Sequence, residues 1–120
     1  MLIFKRTELL DKERLYGKWQ LVKIAGKDPR EFKIAECVIE FHTDGNWRSF
    51  LSILGEWDSL KTESTASWHL AEDRIRFDFG NKQAESGVKL QGDTLLLFDD
   101  PVISVRSNTS VQFRYTRLLS

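Results

Sequence analysis

The sequence predicts an all-β protein: a single antiparallel eight-stranded up-and-down β-barrel with a short N-terminal helix. From Trp19 onward, short β-rich segments alternate with turn residues. No segment of helical periodicity is long enough to cross over between parallel strands, so neighbouring strands are expected to be antiparallel. Pro29 and Pro101 both lie outside the predicted strands. A curved sheet without covering helices buries one face most economically by closing on itself, which favours a barrel over the competing β-sandwich.

The elements follow one another along the 120 residues of one predicted domain. Residues 1–14 form a helical lead-in, in which 7–14 combine helix formers with Thr7 as a capping residue, and Gly17 ends the helix. The barrel then occupies residues 15–118. Its strands are predicted at 17–24, 36–42, 46–54, 62–70, 74–80, 86–91, 94–99 and 110–118.

Three hairpins support the barrel, because their registers place apolar residues on one face. Two-residue turns at Glu72-Asp73 and Gly92-Asp93, and a three-residue loop ending in a left-handed Gly45, are the predicted connections. The cross-strand pairs they predict are Leu70 with Ile75, Trp68 with Phe77, Leu90 with Leu95, Val88 with Leu97, Phe41 with Trp47 and Ile39 with Ser49. On the last strand Val111, Phe113, Tyr115 and Arg117 share the inner face.

Composition and charge exclude several classes of function. Lys plus Arg and Asp plus Glu each number 18, so there is no basic excess to neutralise a nucleic-acid backbone. Cys37 is the only cysteine, which rules out an internal disulfide and a multi-cysteine metal site. The N-terminus does not have the pattern of a signal peptide, and no window reaches the run of about 18 apolar residues that a membrane span needs. The expected location is therefore the cytoplasm.

Several segments of the sequence resemble segments of a known protein family. They are Leu-Tyr-Gly-Lys-Trp-Gln-Leu at 15–21, Ala-Ser-Trp-His-Leu-Ala-Glu-Asp-Arg-Ile at 66–75, Leu-Gln-Gly-Asp-Thr-Leu at 90–95 and Phe-Arg-Tyr-Thr-Arg-Leu at 113–118. These segments occur in the same order as in bacterial lipocalin-like domains of the lipocalin/calycin superfamily, and the chain is similar to those domains over most of residues 15–118. The resemblance implies that Arg117 packs over Trp19 at the closed end of the barrel, beside Gly17. The chain lacks the disulfide cysteines of the secreted members.

The sequence contains no evident catalytic or metal-binding set, and no enzymatic activity, cofactor or metal is expected. His42 and His69 are predicted to point outward, which argues against an axial haem ligand inside the barrel. Cys37 and His42 stand five positions apart on one strand and therefore face opposite sides of the sheet. The acidic pairs at 72–73 and 99–100 fall where turns are expected.

Two functions are compatible with this chain. The first is non-enzymatic binding of a small, mostly apolar molecule inside the barrel, with Ser64 or Arg117 as a polar anchor and a wall of small residues at Thr62, Ser64 and Ala66. Its candidate ligand-binding residues are Trp47, Leu51, Ser64, Trp68, Phe77 and Tyr115. The second is a filled barrel that acts as a protein-interaction or inhibitor module through Trp57, a candidate lid or partner contact, and through the 99–110 connection.

Overall fold

The structure, a computed structural model, describes residues 10–55 and 59–119 of the chain. Eight antiparallel strands close into one barrel in which each strand pairs with its neighbours in sequence and the last pairs with the first. The strands are β1 Gly17–Ile24, β2 Ile34–Phe41, β3 Asn46–Leu54, β4 Ser59–Ala71, β5 Arg74–Asp78, β6 Gln83–Gln91, β7 Thr94–Phe98 and β8 Gln112–Leu118. The predicted all-β barrel is confirmed.

The predicted hairpin registers are also confirmed. All six cross-strand pairs named above are present, and Gly45 has the left-handed φ of 89° that its loop requires. This agreement has a simple cause. Side chains alternate with a period of two along a strand, so a one-residue slip would turn every apolar side chain of that strand toward solvent.

The predicted N-terminal helix is reduced to one 3-10 turn at Lys12–Arg14 within the described residues. Its cap is Asp11, whose carboxylate accepts a hydrogen bond from the amide of Glu13, and the predicted cap Thr7 lies outside the described residues. The turn ends here because Leu15, immediately after it, is fully buried in the barrel core, and β1 begins two residues later. A second 3-10 turn spans Pro29–Phe32.

Two strand boundaries, at β4 and β8, differ from the prediction. β4 covers 13 residues rather than the nine predicted, and extends on the N-terminal side to Ser59. β8 begins at Gln112 rather than at position 110. The reason is that the Asp99 carboxylate accepts hydrogen bonds from the Val111 amide, at 2.9 Å, and from the Ser110 hydroxyl, at 2.8 Å.

The barrel interior is filled with large side chains. Those with almost no accessible surface include Trp19, Trp47, Tyr115, Phe41, Phe77 and Phe113. The rings of Trp47 and Phe77 meet edge to face with their centroids 4.8 Å apart. A side chain without accessible surface lines no cavity wide enough for water. Trp47, Phe77 and Tyr115 therefore form a packed layer across the barrel, which we call the floor.

The two ends of the barrel differ in how the strands terminate. We call the end with the turns at 43–45, 72–73 and 92–93 the closed end, and the opposite end the open end. At the open end β4 extends beyond its neighbour β5. It pairs with β3 over residues 59–67 but with β5 only over 67–71.

Candidate functional site

Arg117 and Trp19 seal the closed end. The guanidinium lies over the Trp19 ring, 4.1 Å from its centroid, in the geometry of a cation–π contact. Arg117 also donates hydrogen bonds to the carbonyl oxygens of Tyr16, at 3.0 Å, and of Arg14, at 2.7 Å. The indole Nε1 of Trp19 donates to the Leu15 carbonyl at 2.9 Å. These contacts tie the lead-in across the mouth at this end.

Gly17 makes room for this seal. Its φ of 117° lies in the region that side chains other than glycine rarely adopt. A Cβ atom at this position would lie 3.4 Å from Nη1 of Arg117. The glycine of the Gly-x-Trp motif is therefore favoured by the backbone conformation, and a Cβ atom there would come into van der Waals contact with the arginine.

The six candidate ligand-binding residues fall into three groups. Trp47, Phe77 and Tyr115 belong to the packed floor and have no accessible surface. Trp68 lies toward the closed end, where its ring packs edge-on against Phe41 at 5.0 Å and its Nε1 donates to the His42 carbonyl at 3.3 Å. The other two candidates, Leu51 and Ser64, lie above the floor toward the open end and retain accessible surface.

Leu51 and Ser64 belong to a continuous inner surface of the long β3–β4 hairpin. Across the two strands Leu51 pairs with Thr62, and Ile53 pairs with Leu60. Leu60 is 65% exposed although it faces the barrel axis, because β5 does not extend beside it. We call this surface the shelf, and define it by Leu51, Ile53, Leu60, Thr62 and Ser64.

The shelf combines apolar and hydroxyl side chains. Its leucines and isoleucine offer apolar surface, while Thr62 and Ser64 offer hydroxyl groups that can donate or accept hydrogen bonds. Below it Ser49, which pairs with Ser64, is buried with its Oγ 3.9 Å from Sγ of Cys37. The half-buried ring of Phe79 packs edge-on against Trp47 at 6.0 Å and extends the aromatic floor toward the open end.

A polar group of the barrel interior joins Tyr115 to the connection between β7 and β8. The Tyr115 hydroxyl donates a hydrogen bond to Oδ2 of Asp100. Oδ1 of the same carboxylate accepts hydrogen bonds from the amides of Val102 and Ile103, each at 2.9 Å. Asp100 therefore fastens the start of the 99–110 connection onto the inner wall.

Burial changes the protonation chemistry of this group. Burial raises the pKa of the Cys37 thiol to about 12, and the negative charge of Asp100 acts in the same direction. The pKa of Tyr115 is raised well above its ordinary value by burial and by Asp100. Burial also raises the pKa of Asp100, against the opposing hydrogen bonds from Tyr115 and two backbone amides. Cys37 therefore stays a thiol at neutral pH, which makes it a poor nucleophile.

The contact between Asp100 and Tyr115 is the interior polar interaction that sequence reasoning misses. The sequence predicts a turn at the acidic pair Asp99-Asp100, and Asp99 does adopt the left-handed φ of 72° found in turns. The partner of Asp100 is Tyr115, 15 residues further on. The available signal was the spacing of two acidic residues at the end of β7 from a tyrosine on the inner face of β8.

The remaining chemistry-bearing residues do not converge on a site. His69 is exposed, and Nε2 of His42 lies 2.8 Å from a carboxylate oxygen of Glu40 on the outer face. Across residues 10–55 and 59–119 no group of three or more His, Cys, Asp or Glu side chains could hold a metal ion. No helix in the described part of the chain is long and apolar enough to cross a membrane. Trp57 lies outside the described residues.

Two grooves lie away from the shelf. One, of about 940 Å³, runs along β6 past the turns at 72–73 and 92–93, and the other, of about 490 Å³, crosses β4, β5 and β6. The second is bordered by Trp68 and Phe77, but Phe77 has no accessible surface and the residues that alternate with it are exposed and polar. Both grooves lie on the outside of the barrel and are only partly enclosed, and most of the side chains that line them are polar or charged.

The comparisons with known proteins show the fold alone. No protein-family model matches the chain, and no curated protein matches it significantly. Among solved structures, the chain is similar to the crystal structure of an uncharacterized protein from Bacteroides eggerthii, with a TM-score of 0.53 and 13% sequence identity. The match covers 87% of this chain and 99% of the other. The chain is thus an eight-stranded antiparallel β-barrel with a solved structural neighbour.

Proposed function

We propose that this protein is a lipocalin-like, non-enzymatic binding barrel whose ligand, a small and mostly apolar molecule, sits on the shelf at the open end. The observation that carries the proposal is the exposure of inward-facing apolar residues there, above all Leu60 at 65%. When a ligand covers exposed apolar surface on the inside of a barrel, the free energy of the complex is lowered by about 25 cal/mol per Å² of apolar surface buried.

The packed floor limits where the ligand sits. Trp47, Phe77 and Tyr115 already fill the barrel below the shelf, so entry to that level would require repacking of a dense core. The buried Nε1 of Trp47 is the one side-chain donor of the described residues that is buried without a hydrogen-bond partner. It lies one step below Ser49 on the inner face of β3, so the floor beneath the shelf has unused hydrogen-bonding capacity.

The shelf itself has the composition of a site for an amphipathic molecule. Its apolar part contacts Leu51, Ile53 and Leu60, and its polar group bonds with the hydroxyls of Thr62 or Ser64. The lipocalin-like assignment is supported by the closed-end geometry, in which Arg117 covers Trp19 next to a glycine.

The test is a titration with N-phenyl-1-naphthylamine, an apolar dye that fluoresces when it leaves water. The wild-type protein is compared with Thr62→Phe, which fills the shelf, and with Thr65→Phe, which adds the same ring to the outer face of the same strand. Both positions are exposed, so neither change disturbs the core. We expect saturable binding to wild type and Thr65→Phe, and at least about tenfold weaker binding to Thr62→Phe. Equal binding to the wild type and both variants would remove the shelf as the site.

A second candidate function is favoured by the packed floor: a filled barrel that presents the 99–110 connection to a protein partner. Asp99 and Asp100 hold the beginning of this connection and its junction with β8, while residues 106–110 are exposed. A loop held in one conformation loses little entropy on binding a partner. The absence of saturable dye binding to the wild-type protein would favour this candidate.

A further inference from the structure

We infer that the upper part of β4, residues 59–66, is an interface through which two copies of this chain pair edge to edge as antiparallel strands. Within the described residues, no strand pairs with β4 over 59–66 on the side away from β3. An unpaired edge exposes a row of backbone donors and acceptors, which another strand can complete.

The backbone of β4 shows which groups this edge offers. The amide of Trp68 donates to Gly45, at 2.9 Å, on the β3 side. Because N–H and C=O directions alternate along a strand, even-numbered residues of β4 face β3 and odd-numbered residues face the opposite edge. The two-residue turn that joins Ala71 to Arg74 agrees with this, since an odd-numbered residue closes the hairpin with β5. Lys61, Glu63 and Thr65 therefore direct their backbone groups toward the open edge.

The side chains on this edge are self-complementary in one register. When Thr62 of one copy lies opposite Thr62 of the other, Lys61 faces Glu63 of the second copy, and the same pair forms again by symmetry. Every residue whose backbone faces the edge then meets another such residue, so the hydrogen-bond pattern is also satisfied. Opposite charges directly across antiparallel strands are stabilising.

The neighbouring registers are disfavoured by charge. A shift that centres the pairing on Glu63 places two glutamates opposite each other, and one that centres it on Lys61 places two lysines opposite each other. Like charges directly across strands are destabilising. Both side chains are exposed, so both are available to a second copy. The charge pattern therefore selects a second copy in a single register as the occupant of this edge.

Sedimentation velocity over a range of protein concentrations tests the interface, using Lys61→Glu, Glu63→Lys and the double variant that exchanges the two charges. We expect a reversible wild-type dimer, about tenfold weaker in each single variant because two attractive pairs become repulsive, and restored in the double variant. The two substitutions lie on the outer face of β4, so they leave the inward-facing shelf intact. A wild-type chain that stays monomeric, or a dimer unaffected by the single variants, would overturn the inference.

Disulfide trapping tests the register. Thr62 lies opposite its own copy in a pair without backbone hydrogen bonds, where the Cα atoms are about 4.5 Å apart and within the range that a disulfide spans, so Thr62→Cys should form an intermolecular disulfide under mild oxidation. Thr65→Cys is the matched control, because Thr65 faces Ser59 of the second copy. Faster cross-linking at position 65 than at position 62 would contradict the register.

Discussion

The closed and open ends of this barrel are made from the same eight strands but differ in how much their inward-facing side chains are exposed. At the closed end the inward-facing Trp19 is fully buried beneath Arg117, and the lead-in is hydrogen-bonded across it. At the open end the inward-facing Leu60 is mostly exposed. The difference arises from strand length, because β5 stops at Asp78 while β4 continues along β3. Stability is therefore expected to reside at one end and binding at the other.

The largest expected effect is at the centre of the closed end. Trp19→Ala removes a fully buried indole together with its hydrogen bond to Leu15, and should lower the free energy of unfolding by about 3–5 kcal/mol. Chemical denaturation of the two proteins measures this difference. A variant as stable as wild type would show that the closed end does not hold the barrel together.

The same substitution at the two ends makes the comparison most direct. Leu15→Ala deletes a fully buried side chain and should cost about 2–5 kcal/mol. Leu60→Ala deletes a mostly exposed one and should change stability by no more than about 0.5 kcal/mol. Denaturation midpoints of both variants provide the test, and similar losses at the two positions would contradict the assignment of the ends.

Arg117→Met separates the cation from the packing it provides. Methionine keeps an apolar stem over Trp19 but leaves the carbonyl oxygens of Tyr16 and Arg14 without their donor. The expected loss is about 1–3 kcal/mol, smaller than that of Trp19→Ala. A loss in thermal denaturation as large as that of the tryptophan variant would mean that the arginine itself holds the end together.

Ionisation of Asp100 should make the stability of the folded protein depend on pH. Because burial raises its pKa in the folded state, the stability it contributes is fully present below about pH 4 and is lost as the pH rises through the raised value. Asp100→Asn retains an acceptor for the two backbone amides but carries no charge. Melting temperatures should therefore shift in favour of the variant as the pH rises from acidic to neutral. A constant difference across this range would refute the proposed cause.

Local alternation predicted the barrel but could not predict its asymmetry. The hairpin registers followed from apolar residues on one face, and the structure has them all. The extension of β4 to Ser59 was missed, because whether a strand has a neighbour depends on the length of β5 and not on the residues of β4 itself. The same alternation places Leu51 and Ser64 on the inner face, but the 65% exposure of Leu60 beside them depends on where β5 ends.

The contact of Asp100 with Tyr115 was missed for a related reason. A carboxylate beside a proline favours a turn in any sequence, whereas its burial depends on how the 99–110 connection returns to β8. Arg117 over Trp19 is also a long-range contact. It was foreseen only through the resemblance to lipocalin-like domains, in which these positions are paired.

We propose that a ligand occupies the open end of the barrel and leaves the closed end unchanged. Two-dimensional ¹H–¹⁵N NMR of the protein titrated with N-phenyl-1-naphthylamine tests it most directly, because backbone amides and the indole Nε1–H groups report both ends at once. We predict shifts at Leu51, Thr62 and Ser64 and at the indole of Trp47, and none at the indole of Trp19. Shifts centred on Trp19 and Leu15, or no shifts in the shelf, would show that the ligand does not bind at the open end.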